Sequence, residues 1–355
     1  MVLNLILKSG ARVANPGEFS KRAFLNGKID LTKAEAIAKL IETKSEDGAK
    51  VLARQLKGEL QDFVEKIRDD LVEILAFVEV NIDYAEEDLP LDLLEQIEKK
   101  LKNLYLLLKK TYDSSKRREG LIEGFKVAIV GKPNVGKSSL LNSLLNYDRA
   151  IISDIAGTTR DTIEEEVRIG THLIKIVDTA GIRESKDEIE KIGIERSIDA
   201  ITSSDIVIAM FDNSRSCDKE DRIILETIND FKEDKEIITV LNKIDLKNRF
   251  DKSLLNSHIE ISCKENSEAI ILELKNILNK RNLDDSLLLT SKRQMIAIKT
   301  TYKEIKEASD ILNEGELELF AFHINEAIRE ISKITKNFDR DEILDKMFGS
   351  FCLGK

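Results

Sequence analysis

Gly131-Lys132-Pro133-Asn134-Val135-Gly136-Lys137-Ser138 follows directly on the apolar run Phe125-Lys126-Val127-Ala128-Ile129-Val130. The octet fits the phosphate-loop pattern Gly-x-x-x-x-Gly-Lys-Ser/Thr. The run before it reads as a buried strand, and Leu140, Leu141, Leu144 and Leu145 after it mark one face of a helix, the strand–loop–helix context that the motif requires. In such a loop the glycines let backbone N–H groups close around phosphates. Lys137 reaches the β and γ oxygens, and the Ser138 hydroxyl ligates Mg²⁺. The helix opening at Lys137 adds the positive end of its dipole. Val135, Gly136 and Ser139 belong with these residues as expected nucleotide contacts.

The stretch sits at the start of a change in texture. Beyond Phe125, short β-branched runs (Leu173 to Val177, Ile206 to Phe211, Ile237 to Leu241, Ile259 to Ile261) alternate with helical segments, the signature of a mostly parallel sheet covered by helices. Before it, Leu52, Leu56, Leu60, Phe63, Ile67, Leu71, Ile74 and Val78 recur at three or four residues and predict one long amphipathic helix. A second follows at Leu94, Ile97, Leu101, Leu104 and Leu108, with a helix–helix loop over Asp83 to Pro90. After about Asn282 the helical period returns, at Ile298 to Leu312 and Leu317 to Ile331. The expected architecture is an α/β P-loop domain, 119–282, inserted into an all-α helical domain made of 31–118 and 283–355.

Composition narrows the class. The 355 residues, 42% hydrophobic and 34% charged, suit a folded globular chain of two or three domains. A net charge of −10 argues against broad nonspecific nucleic-acid binding and leaves room for a local basic face. Cys217, Cys263 and Cys352 are too few and scattered for a zinc site or disulfide framework, which points to a reducing, cytoplasmic address. No run of about eighteen apolar residues is present to span a bilayer.

Further motifs select the base. Asn242-Lys243-Ile244-Asp245 closes the run Ile237 to Leu241, at the sheet edge where α/β ligands bind. The Asp245 carboxylate can accept from N1–H and the exocyclic amine of guanine, whereas adenine would leave it unpaired. Ser262-Cys263-Lys264, after another strand, would turn backbone N–H groups toward the guanine oxygen, with Cys263 as a packed small side chain. Asp178-Thr179-Ala180-Gly181 follows the run ending at Val177. Asp178 suits a Mg²⁺-bound water and the Gly181 N–H suits the γ-phosphate. In Gly157-Thr158-Thr159-Arg160-Asp161, Thr159 is the candidate second hydroxyl on Mg²⁺. The ordered set predicts a GTPase. Where many small GTPases place a water-orienting Gln, this chain has Ile182. By residue type alone the nearby Glu184, Asp187, Glu188 and Glu190 read as solvated surface.

The phosphate loop, Gly-Thr-Thr-Arg-Asp, Asp-Thr-Ala-Gly-Ile-Arg-Glu and the last five residues, Phe351-Cys352-Leu353-Gly354-Lys355, closely resemble the MnmE (TrmE) family of tRNA modification GTPases. Leu353 stands where Ile is usual. Asn15 to Lys28 resembles the end of that family's N-terminal domain, so the likeness covers essentially the whole chain. It implies a K⁺ ion in place of an arginine finger, held by Asn134 and by the loop of about 146–157, with Ile152 and Thr158 among its ligands. It also implies that Glu190, twelve residues beyond Asp178, orients the attacking water, with Arg183 a further catalytic candidate, and that G domains pair face to face during hydrolysis. The family reaction is 5-carboxymethylaminomethylation or aminomethylation of the wobble uridine, position 34, of certain tRNAs. It proceeds with the flavoprotein MnmG (GidA) and a one-carbon folate. Cys352 matches the C-terminal cysteine needed for modification, Lys28 matches a folate-pocket residue, and Lys355 is a further candidate cofactor contact. Residues 1–30 are expected to be a C-terminal remnant of the α+β folate-binding and dimerisation domain, too short for a core of its own. The remnant leaves a second reading open, a GTP-binding switch or scaffold without modification activity.

Overall fold

The computed structural model describes residues 2–83, 91–148, 165–177, 198–282, 286–312 and 316–335. They fall into two compact units, one drawn from Met1–Thr43, Gly48–Arg117 and Ser286–Lys355, the other from Lys44–Asp47 and Arg118–Asp285.

The second unit is built on six strands, β1 (Phe125–Val130), β2 (Glu165–Ile169), β3 (His172–Val177), β4 (Ile206–Asp212), β5 (Glu236–Asn242) and β6 (Ile259–Glu260), in the order β2-β3-β1-β4-β5-β6. All neighbours are parallel except β2 and β3. β4 lies between β1 and β5 and every one of its residues is buried, the pattern of a strand covered on both faces. β1 pairs on one side with β3 and on the other with β4, so the sheet order reverses around it and the loop leaving β1 opens at a switch point. Strand β2 has no counterpart in the apolar runs, because Glu165-Glu166-Val167-Arg168-Ile169 alternates charge with apolar side chains. It is an antiparallel edge strand in which Val167 and Ile169 face inward. Its available signal was that alternation, ending at Gly170-Thr171.

The helices in chain order are α1 (Val2–Lys8), α2 (Glu18–Leu25), α3 (Leu31–Glu42), α4 (Glu46–Leu56), α5 (Glu59–Asp83), α6 (Leu91–Arg117), α7 (Gly120–Glu123), α8 (Lys137–Asp148), α9 (Lys219–Asp230), α10 (Glu268–Asn282), α11 (Lys292–Leu312) and α12 (Leu317–Ser332). The long helix expected from Leu52 is two helices. Gly58, at φ 102°, takes a left-handed conformation that a continuing helix excludes, and its N–H and that of Lys57 bond back to Gln55, Ala53 and Arg54 carbonyls. The apolar period runs through the break because Leu52 and Leu60 are both buried. The core of the helical unit gathers Leu60, Ile67, Leu71 and Ile74 of α5, Leu101 and Leu108 of α6, Ile298 and Ile305 of α11, and Phe320 and Ile324 of α12. Each such side chain contributes about 1.5–3 kcal/mol by leaving water. Tyr84 to Pro90 of the expected helix–helix loop lies outside the described residues.

A polar staple joins α3, α4 and α11 within this unit. Gln294, fully buried, accepts from the Thr290 N–H at 2.8 Å and donates to Glu35 Oε2 at 2.8 Å. The Thr290 hydroxyl donates to Gln55 Oε1 at 2.8 Å, and Arg293 clasps Glu35 through Nε at 2.7 Å and Nη2 at 2.9 Å. Among the described residues no helix is long and apolar enough to cross a membrane.

Candidate nucleotide-binding site

The phosphate loop joins β1 to α8, whose Leu140, Leu141 and Leu144 are buried. Its shape depends on close approach. At Gly136, φ is 113° and an added Cβ would stand 2.2 Å from Asn242 Nδ2, so backbone and neighbour both demand glycine. Asn134 sits at φ 64°, a left-handed conformation that asparagine tolerates better than other non-glycine residues and that neighbours can hold in place. Lys243, itself at φ 66°, does so, because its Nζ donates to the Asn134 carbonyl at 2.7 Å.

Lys243 Nζ also donates to Asp212 Oδ2 at 2.6 Å. Asp212 ends β4, its side chain only 4% exposed, and accepts from the Ser214 N–H at 2.9 Å and hydroxyl at 2.6 Å. Burial opposes its ionisation, but Lys243 and Ser214 outweigh that and hold the carboxyl below its ordinary range. Asn242, which ends β5 and precedes Lys243, links the two ligand loops. Its Nδ2 donates to the Val135 carbonyl at 2.7 Å, and its Oδ1 accepts from the Cys263 N–H at 3.0 Å. That N–H, expected to face the guanine oxygen, is therefore committed to Asn242. Asp245 and Lys264 are exposed, Ser262 is buried, and its hydroxyl has no hydrogen-bond partner among the described residues. Burial raises the Cys263 thiol to about 11, which keeps it protonated and unreactive at neutral pH.

Lys137 Nζ donates to the carbonyls of Gly131 at 2.7 Å and Lys132 at 2.9 Å, spanning the loop it is meant to serve. Burial pushes its ammonium below the ordinary lysine value. Ser138 and Ser139 are exposed at the start of α8. Lys132 faces the other way, to Asp218 at 2.5 Å and Asp221 at 2.8 Å, the pair that caps α9. The structure thus brings Asn134 to Ser139, Asn242 to Asp245 and Ser262 to Lys264 to one end of the sheet. Asp212 was missed by the sequence reading, and its only signal was an aspartate closing a wholly apolar strand. Lys28 lies outside this unit and is exposed. Ile152, Thr158, Thr159, Asp178, Gly181, Ile182, Arg183, Glu190, Cys352 and Lys355 lie outside the described residues.

A phosphate loop on a mostly parallel sheet, tied by Asn242 to a guanine-type specificity segment, defines a P-loop GTPase. Residues 31–352 match the family described as MnmE helical domain, and residues 1–28 match GTP-binding protein TrmE N-terminus. The tRNA modification GTPase MnmE of Aliarcobacter butzleri (strain RM4018) is 62% identical over 355 residues, covering 100% of this chain and 79% of that protein. The tRNA modification GTPase MnmE of Sulfurimonas denitrificans is 63% identical over 354 residues, with the same coverage of 100% and 79%. The chain belongs to the MnmE family. A crystal structure of Era in complex with MgGDPNP and nucleotides 1506-1542 of 16S ribosomal RNA is 29% identical, covering 51% of this chain and 66% of that one, with a TM-score of 0.33.

Proposed function

We propose that this chain is a K⁺-stimulated GTP hydrolase acting, with the flavoprotein MnmG, in 5-carboxymethylaminomethyl or aminomethyl modification of the tRNA wobble uridine. The observation that carries the GTPase reading is Asn242, which holds the phosphate loop with one end of its amide and the Cys263 turn with the other. One side chain thereby ties the loop proposed to grip phosphate to the turn proposed to select the base. The names of the two relatives, each matched along the whole of this chain, support the tRNA reading.

In this reading the 119–282 segment is a G domain inserted into a helical domain, and the protein works in the cytoplasm as a homodimer whose G domains meet during hydrolysis. Lys137 neutralises charge on the β and γ oxygens. Asp245 pairs with the guanine edge, and Glu190 orients the attacking water. Ser138, Thr159 and Asp178 would hold Mg²⁺, and the exposed Ser138 at the opening of α8 fits that duty. Asn134, Ile152 and Thr158 would hold K⁺, and the exposed Asn134 with its backbone locked by Lys243 fits a pre-organised ligand. A monovalent cation held there would supply the fixed positive charge that an arginine finger otherwise provides. Cys352 serves the modification step, Lys28 is the match to the family's folate pocket, and Lys355 is a further candidate cofactor contact.

The test is wobble-uridine analysis of tRNA from a strain deleted for its own MnmE-family gene and supplied with this chain and MnmG. Modified uridine is the expected result, and an unmodified base overturns the tRNA reading.

A further inference from the structure

Helices α6 and α11 pack side by side in the helical unit, and along one flank of their seam three tyrosines meet edge to face. The ring centroids of Tyr105 and Tyr302 are 5.9 Å apart, and those of Tyr112 and Tyr302 5.8 Å. Lys109 Nζ lies 5.8 Å from the Tyr105 ring centroid and Lys299 Nζ 6.0 Å from that of Tyr112, which fixes the side both lysines occupy. At 3.6 residues per turn, Lys102 and Lys116 fall on the same side of α6 as Lys109, and Lys292, Lys303 and Lys306 on the same side of α11 as Lys299.

All seven lysines are exposed. Among the described residues none of them makes an ion pair, whereas Lys100, around α6 from them, pairs with Glu73 at 2.9 Å. Carboxylates on this flank are few, Glu95, Glu98 and Asp113 on α6 and Asp310 on α11. The face is basic on a chain whose net charge is −10. Apart from the ring contacts of Lys109 and Lys299, seven like charges without an ion-pair partner repel one another. Lys102, Lys109 and Lys116, and likewise Lys292, Lys299 and Lys306, repeat every seven residues, roughly 10.5 Å along the axis, giving two rows about 21 Å long. Rows of evenly spaced cations suit a polymer of evenly spaced anions, and the tyrosine floor adds hydroxyl donors and ring faces between them.

We propose that this tyrosine-floored lysine face of α6 and α11 is a docking surface for the phosphodiester backbone of the tRNA substrate. The proposal rests on the tRNA-modification reading. Its test is tRNA binding by the full chain, followed by fluorescence anisotropy between about 50 and 200 mM salt. The quadruple variant Lys102→Ala, Lys109→Ala, Lys299→Ala, Lys303→Ala should bind roughly tenfold or more weakly and lose about three units from the slope of log affinity against log salt. GTP turnover and the thermal midpoint should stay at the parent values, and the matching lysine-to-arginine variant should keep binding. A control of equal charge change elsewhere, Lys57→Ala, Lys219→Ala, Lys232→Ala, Lys280→Ala, should bind like the parent. Equal affinity and slope in the quadruple variant and parent overturn the surface while leaving the tRNA reading intact. So does loss of binding to polyglutamate with tRNA binding unchanged, which would assign the face to an acidic protein. No tRNA binding by the parent protein overturns both.

Discussion

Two buried polar networks, one in each unit, use similar residues to opposite ends. In the helical unit Gln55, Thr290, Gln294, Glu35 and Arg293 spend their hydrogen bonds largely on one another and on the backbone of α11's approach, stapling three helices. In the sheet unit Asn242, Lys243 and Asp212 spend theirs on loop carbonyls and an N–H, fixing the backbone of the loops that meet the ligand. A staple of the first kind contributes stability. The second holds loops in costly conformations and contributes a site.

Substitutions can break this contrast. The largest effect is expected for Gly136→Ala, where the new Cβ meets Asn242 and the backbone is held at φ 113°. Strain near 3 kcal/mol corresponds to roughly a hundredfold loss in GTP affinity, measurable by fluorescent-nucleotide titration. Asn242→Ala comes next. It strands the Val135 carbonyl and the Cys263 N–H, at about 1–3 kcal/mol, and should weaken GTP and GDP binding roughly tenfold to a hundredfold. Gln294→Ala should do the reverse, costing about 2–3 kcal/mol in chemical denaturation and leaving nucleotide affinity unchanged.

The smallest effect concerns pH. Asp212 is held below its ordinary range, so its contribution is complete above the unfolded carboxyl value and is lost as pH falls through the lower folded one. Parent nucleotide affinity should therefore be insensitive to this group at neutral pH and fall only in acid. Asp212→Asn should be weaker throughout and lose that acid limb, as titrations from neutral to acid pH would reveal.

The contrast also explains what the sequence made legible. The phosphate loop, the apolar runs of β1, β3, β4, β5 and β6, and the helical periods were readable because burial writes itself as period and run. β2 was not, since an edge strand with Glu165 and Glu166 lacks an apolar run. The division at Gly58 was hidden because α4 and α5 keep one apolar period across it. Asn242 could be read as part of a motif, but its bonds to Val135 and Cys263 join residues far apart in sequence, and Asp212 carried no motif at all. Long-range polar contacts leave no period behind them.

The most direct test of the account is GTP turnover by the full chain in K⁺ and in Na⁺ at equal ionic strength, alongside Asn134→Ala. The account predicts faster turnover in K⁺ for the parent and equal, low rates in both salts for the variant. Equal parent rates in K⁺ and Na⁺ would contradict it.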